Sequence, residues 1–129
     1  MRIVLDTNVL VSAFAARGLC ADLFRDVLAH HTLIVSDYIL DELQEKLTEK
    51  LRVPSPVVES IRALLMPHRL TVDALPEVTV TIRDHDDIAI VAFAMAIGAD
   101  ILITGDRDLL DVSDILPMRV ISPRKFYDT

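Results

Sequence analysis

The chain of 129 residues is 52% apolar and carries 13 Lys and Arg against 20 Asp and Glu, a formal charge of −7. That is enough apolar mass for one core and too little chain for two ordinary domains, so a single domain over 1–129 is expected. The acidic balance argues against a broad polyanion-binding face, and no leader-like N-terminus or membrane-length apolar run appears, so a soluble cytoplasmic protein with no membrane contact is expected.

Ile3-Val4-Leu5 is a continuous apolar run that stops abruptly at Asp6, Thr7 and Asn8. It reads as a buried parallel strand with a polar cluster at its carboxyl end. In open α/β sheets that edge gathers ligands and catalytic groups. Asp6 is therefore a candidate anchor for an acidic, metal-holding site, and further carboxylates should arrive at the same edge.

Residues 9–16 predict a short apolar helix, broken at Arg17-Gly18. Residues 21–29 predict a second, with Leu23, Phe24, Val27 and Leu28 at helical spacing. Cys20 is the only cysteine, so no intrachain disulfide and no Cys-based zinc site is expected.

Leu33-Ile34-Val35 is the next β-like run, and Ser36-Asp37 opens a helix over 37–51. At about 100° per residue, Ile39, Leu40, Leu43, Leu47 and Leu51 share one face and Asp41 and Glu45 lie opposite. Glu42 flanks the apolar stripe and can reach inward. Its bland alternative is a solvated helix charge paired with Lys46 at i+4.

Val53-Pro54-Ser55-Pro56 interrupts the chain, with Ser55 a candidate N-cap and Pro56 the first residue of a helix to about residue 66. Leu70-Thr71-Val72 predicts a strand. Residues 74–82 predict an extended connection with room for a short edge strand.

Arg83-Asp84-His85-Asp86-Asp87 leads into a helix that is apolar on nearly every face and so must be packed inside the domain. One or two acids suffice to cap such a helix. Three within four residues exceed that need, and Asp87, stacked over Ile90 and Val91, is directed to the core side. Asp87 is assigned as a ligand, Asp84 and Asp86 as cap or auxiliary groups, and His85 as a surface residue.

Ile101-Leu102-Ile103-Thr104 repeats the opening layout, an apolar triplet followed by a polar residue and then Gly105-Asp106-Arg107-Asp108. A tight turn with surface acids is the plain alternative. Arg119-Val120-Ile121 predicts a last strand, with Ser122-Pro123 opening a short terminal helix.

Asp6, Glu42, Asp87 and Asp106, gathered at one sheet edge, would repel and partly protonate unless a cation compensated them. Oxygen-only ligands favour Mg²⁺ or Mn²⁺ over zinc. Such a site can activate water and work on a phosphodiester, without a protein nucleophile.

The segments Leu5-Asp6-Thr7-Asn8-Val9, Ser36 through Glu42-Leu43, Asp87-Ile88-Ala89-Ile90-Val91-Ala92 and Thr104-Gly105-Asp106-Arg107-Asp108 resemble, in order and spacing, the four acidic motifs of PIN-domain nucleases. The small stand-alone form is similar to the VapC-type toxins of toxin–antitoxin systems. The resemblance implies a three-layer α/β/α domain with a mainly parallel sheet of about five strands. It also implies Mg²⁺- or Mn²⁺-dependent endoribonuclease activity, an RNA substrate, an antitoxin partner and frequent homodimerisation. The family's acids carry onto Asp6, Glu42, Asp87 and Asp106, with Asp108 an additional ligand, while Thr7, Asn8 and Thr104 fall where small polar residues orient ligands or water. Two alternatives stand beside it. One is a non-catalytic module of the same fold. The other is an aspartate-nucleophile phosphatase, which needs an Asp where this chain has Asn8.

Overall fold

Three apolar residues in a row build the centre of the sheet. In the computed structural model, which describes residues 1–82 and 84–128, β1 (Arg2–Leu5) leaves no surface of Ile3, Val4 or Leu5 exposed. Successive side chains on a strand point to opposite faces, so three consecutive buried ones require cover on both sides. β3 (Ile101–Ile103) is buried in the same way. β1 pairs in parallel with β2 (Thr32–Leu33) on one side and with β3 on the other; β3 in turn pairs in parallel with β4 (Arg119–Ile121), giving the order β2-β1-β3-β4.

Helices fill the connections. α1 (Thr7–Ala15) and α2 (Leu19–His30) link β1 to β2. α3 (Asp37–Glu45), α4 (Ser55–Leu65) and α5 (His85–Ala96) come between β2 and β3, α6 (Arg107–Leu110) precedes β4, and α7 (Pro123–Tyr127) follows it. The chain leaves β1 to one side for β2 and returns on the other side for β3. The carboxyl ends of β1 and β3 therefore flank the switch point where α/β sheets open a crevice.

Among the described residues the sheet has four strands rather than the expected five or so. Leu70-Thr71-Val72 forms no strand; pairing there is limited to a parallel bridge between Val35 and Arg69, with the Val35 amide donating to His68 O and the Leu70 amide to Val35 O, both at 3.0 Å. A strand at that outer edge would have one neighbour and little to bury, since Leu70 is 42% exposed. Extending the pairing would fix backbone without compensating burial. Residues 74–82 likewise contain no strand.

Helix starts follow the available acceptors. Ser36 caps α3 as expected, its Oγ accepting from the Ile39 amide at 3.0 Å. Ser122 caps α7 the same way through Lys125, at 3.1 Å. α4 departs from expectation, because Pro54 holds the cap position and its carbonyl accepts from the Val57 and Val58 amides at 3.0 and 3.1 Å, leaving Ser55 inside the first turn. Past Glu45 the α3 coil widens into a π-helical turn, Lys46–Lys50. The wider turn rotates Leu51 off the predicted core stripe to 46% exposure, while Leu47 stays buried. No single helix among the described residues is long and apolar enough to cross a membrane.

Candidate active site

β1 ends directly in Asp6 and β3 in Thr104, so the two polar residues meet at the carboxyl ends of adjacent strands. The Asp6 amide continues the ladder by donating to Ile103 O at 2.9 Å. Both side chains are buried, and the Thr104 hydroxyl donates to Asp6 Oδ2 at 2.6 Å. Thr104 Oγ1 also accepts from the Asp106 amide at 3.0 Å. Asp106 in turn caps α6, its Oδ1 accepting from the Asp108 amide at 2.8 Å. One hydroxyl thus ties Asp6 to the turn that carries Asp106. Burial pushes the Asp6 carboxyl up from its ordinary range, and Thr104, the amides of Asn8 and Thr7, and the Lys46 ammonium pull it back down.

Asp87 reaches the same place from α5. Asp84 caps that helix, accepting from the Asp86 amide at 2.9 Å, which leaves Asp87 free of capping duty. Asp87 is buried, and its Oδ2 is without a hydrogen-bond partner among the described residues. Burial, then the adjoining Asp106 carboxylate, then the charges of Asp6 and Asp84, push its carboxyl up to about 8. A buried acid beside two others cannot ionise cheaply on its own.

Glu42 stands to one side of this trio. It is half-buried and raised, first by burial and then by Asp86, against the opposing pull of Thr7 and Lys46. The Thr7 hydroxyl is buried beside it and closes no hydrogen bond of normal geometry among the described residues. Asn8 is exposed, and its Oδ1 accepts from Lys46 Nζ at 2.8 Å. Asp108 is half-exposed on α6 and contributes its amide to the Asp106 cap.

The structure therefore brings Asp6, Asp87, Asp106 and Thr104 into one cluster, with Glu42, Thr7 and Asn8 alongside. Sequence reasoning gave too little weight to Lys46, Tyr38 and Asp86. These three and Glu42 line a cleft of about 490 Å³ whose wall Asp6, Asp87 and Asp106 do not join. The Tyr38 hydroxyl donates to Asp86, and burial together with that bond holds the phenol proton on well above its usual range. The i,i+4 spacing of Glu42 and Lys46 was the available signal for the lysine. Nothing in one dimension links Tyr38 to a residue 48 positions later.

The donor set is all oxygen, which suits hard divalent cations such as Mg²⁺ or Mn²⁺. The unpartnered Asp87 Oδ2, pressed between other acids, is a position that a cation relieves. The fit is one of chemistry and proximity: among the described residues, no three carboxylate, imidazole or thiolate side chains already surround a single ion-sized point.

Among curated proteins none matches this chain. A solved structure described as VapBC2 from Rickettsia felis bound to a DNA fragment from their promoter contains a chain with the same fold. The two are 15% identical, with a TM-score of 0.62 over 95% of this chain and 98% of that one. The PIN domain profile matches residues 2–108, which include β1, α3, α5 and β3 and all of the acids described above. On that match, the chain belongs to the PIN-domain family.

Proposed function

We propose that this chain is a Mg²⁺- or Mn²⁺-dependent endoribonuclease, carried by a single nuclease domain, and the toxin component of a type II toxin–antitoxin system in the cytoplasm. The observation that carries the reading is Asp87, a buried carboxylate with an unpartnered oxygen beside Asp106 and Asp6. Asp6, Asp87 and Asp106, with Glu42 and Asp108 at the margin, are the residues that would hold the metal. The chemistry supplied by such an ion is activation of water and neutralisation of phosphate charge.

The protein's own groups prepare that chemistry. Thr104 fixes the Asp6 carboxylate through its 2.6 Å bond, so one acid is oriented before anything binds. Asp87 holds a proton that it must give up when a cation arrives. Glu42, raised by burial and Asp86, is placed to orient or deprotonate water at the cleft side. The fold shared with the Rickettsia felis complex supports an antitoxin partner, in line with the VapC-type motif set.

Purified wild type and Asp6→Asn are incubated with unstructured and structured RNA in Mg²⁺, Mn²⁺ or EDTA. Cleavage by the wild type alone, and only with a divalent ion, is expected. Equal cleavage by both proteins, or activity that survives EDTA, overturns the mechanism. Expression should arrest growth, and co-expression of the product of the adjacent gene should relieve it; a chain that cleaves RNA without arresting growth is a nuclease but not a toxin.

A further inference from the structure

A second, apolar recess continues from the cleft. The first turn of α3, the segment 70–75 and one face of α5 enclose a groove of about 260 Å³. Ala89 and Phe93 line it and lie in line with Asp86, at i+3 and i+7, while Asp86 lines the cleft, so one face of α5 runs from cleft to groove. The outer wall is tied to the sheet edge, where the Leu70 amide donates to Val35 O at 3.0 Å. Leu70 and Leu75 on that wall are exposed. Among the described lining residues Asp37 alone carries a charge, and both its oxygens accept from the Arg69 guanidinium, Nη2 to Oδ2 at 3.0 Å. The groove therefore offers no free cation to a phosphate and no free acid to a basic side chain. Tyr38 joins the two recesses. It lines both, is 39% exposed, and its hydroxyl donates to Asp86, the neighbour of Asp87, which fixes the edge of the ring.

We infer that this groove seats a nucleobase of single-stranded RNA, from a nucleotide flanking the cleaved bond, with Tyr38 as the stacking face and Leu70 and Leu75 as apolar contacts. The inference rests on the ribonuclease reading above and specifies how its substrate is held. A chain with 20 acidic and 13 basic residues gains little affinity for RNA from phosphate contacts, so contacts to the bases must supply more of it. Unpaired bases present their faces to aromatic side chains, whereas paired bases are stacked inside a helix. A half-exposed ring beside an uncharged apolar wall matches the first and not the second. Thr71 adds a hydroxyl to the groove, able to donate to or accept from a base edge. Continuity with the cleft through Tyr38 and the shared face of α5 ties this groove to the strand that enters the site.

The test follows cleavage of a single-stranded RNA oligonucleotide with Mn²⁺, and of a series in which one nucleotide at a time is abasic. On wild type, one abasic position near the cleaved bond should raise KM roughly tenfold with little change in kcat. Leu75→Ser and Tyr38→Ala should raise KM on the intact RNA by a similar factor, and Tyr38→Phe, which keeps the ring, should restore most of it. Leu75 is 53% exposed, so its replacement leaves the core intact, and far-UV circular dichroism checks the fold of each variant. On the sensitive abasic oligonucleotide, Leu75→Ser and wild type should have the same KM. Losses that multiply there, or an unchanged KM for Leu75→Ser on intact RNA, would overturn the inference and leave the ribonuclease reading standing. Wild-type kinetics in Leu75→Ser, combined with escape from the product of the adjacent gene, would assign the groove to a protein partner and overturn it likewise. No RNA cleavage by wild type with any divalent ion would overturn the ribonuclease reading itself, and this inference with it.

Discussion

The Thr104 hydroxyl and Asp6 Oδ2 lie 2.6 Å apart although the two residues are separated by 98 positions in the chain. Both are buried, so the bond cannot be exchanged for water without opening the sheet edge. Thr104→Val keeps the shape and removes the donor. It should cost about 1–3 kcal/mol, the usual penalty for stranding a buried acceptor. Urea denaturation at neutral pH measures this, and an unchanged midpoint would show that the bond contributes nothing to the fold.

Asp87 sets the pH response of the metal-free protein. Between its ordinary value of 3.8 and about 8, the folded chain keeps a proton that the unfolded chain has released. Stability therefore falls as pH rises through that interval, by up to about 1.4 kcal/mol per unit. Asp87→Asn should flatten the slope and leave the variant the more stable of the two at pH 8, by about 1 kcal/mol or more. Denaturant melts from pH 5 to 9 in EDTA give the comparison. With saturating Mn²⁺ the slope should flatten for the wild type, because the metal-bound folded chain, like the unfolded one, has already released the ligand proton.

Asp106→Asn separates stability from activity. Asparagine still caps α6, so the helix start is kept. Loss of the charge lets Asp87 ionise more readily, and the metal-free chain should gain roughly 1 kcal/mol at pH 7.5. The same change should remove the thermal shift caused by Mn²⁺ and lower RNA cleavage by on the order of 100-fold or more. A variant that is both less stable without metal and fully active with it would contradict the placement of Asp106 beside Asp87.

Ser36→Ala tests how α3 is anchored. Ser36 Oγ accepts from the Ile39 amide at 3.0 Å, and the helix it starts presents Glu42 and then Lys46 to the cleft. Loss of the cap should cost about 1 kcal/mol. A lower melting temperature is expected, with Mn²⁺ affinity nearly unchanged because the trio at Asp6, Asp87 and Asp106 is untouched.

The parts of this architecture visible in one dimension were those with a strong local cause. Ile3-Val4-Leu5 and Ile101-Leu102-Ile103 announce buried strands because nothing else accommodates three apolar residues ahead of a polar cluster. Asp87 stood out because three acids exceed what a helix cap needs and it stacks over Ile90 and Val91; the structure makes Asp84 the cap. Leu70-Thr71-Val72 misled because its composition suits a strand while its edge position offers no second neighbour. Leu51 misled because a regular helical period was carried through a turn that widens. Lys46 read as a surface partner of Glu42 because its contact with Asn8 exists only once α1 and α3 pack together.

The sheet order carries a consequence for synthesis. β1 is made before its central partner β3, which lies about a hundred residues downstream, at Ile101–Ile103. Until that strand leaves the ribosome, Asp6 has neither its Thr104 donor nor Asp106 nearby. A nascent or truncated chain ending before residue 101 thus lacks the assembled acids. The four-acid edge is therefore complete only after β3 and the turn that follows it have been made.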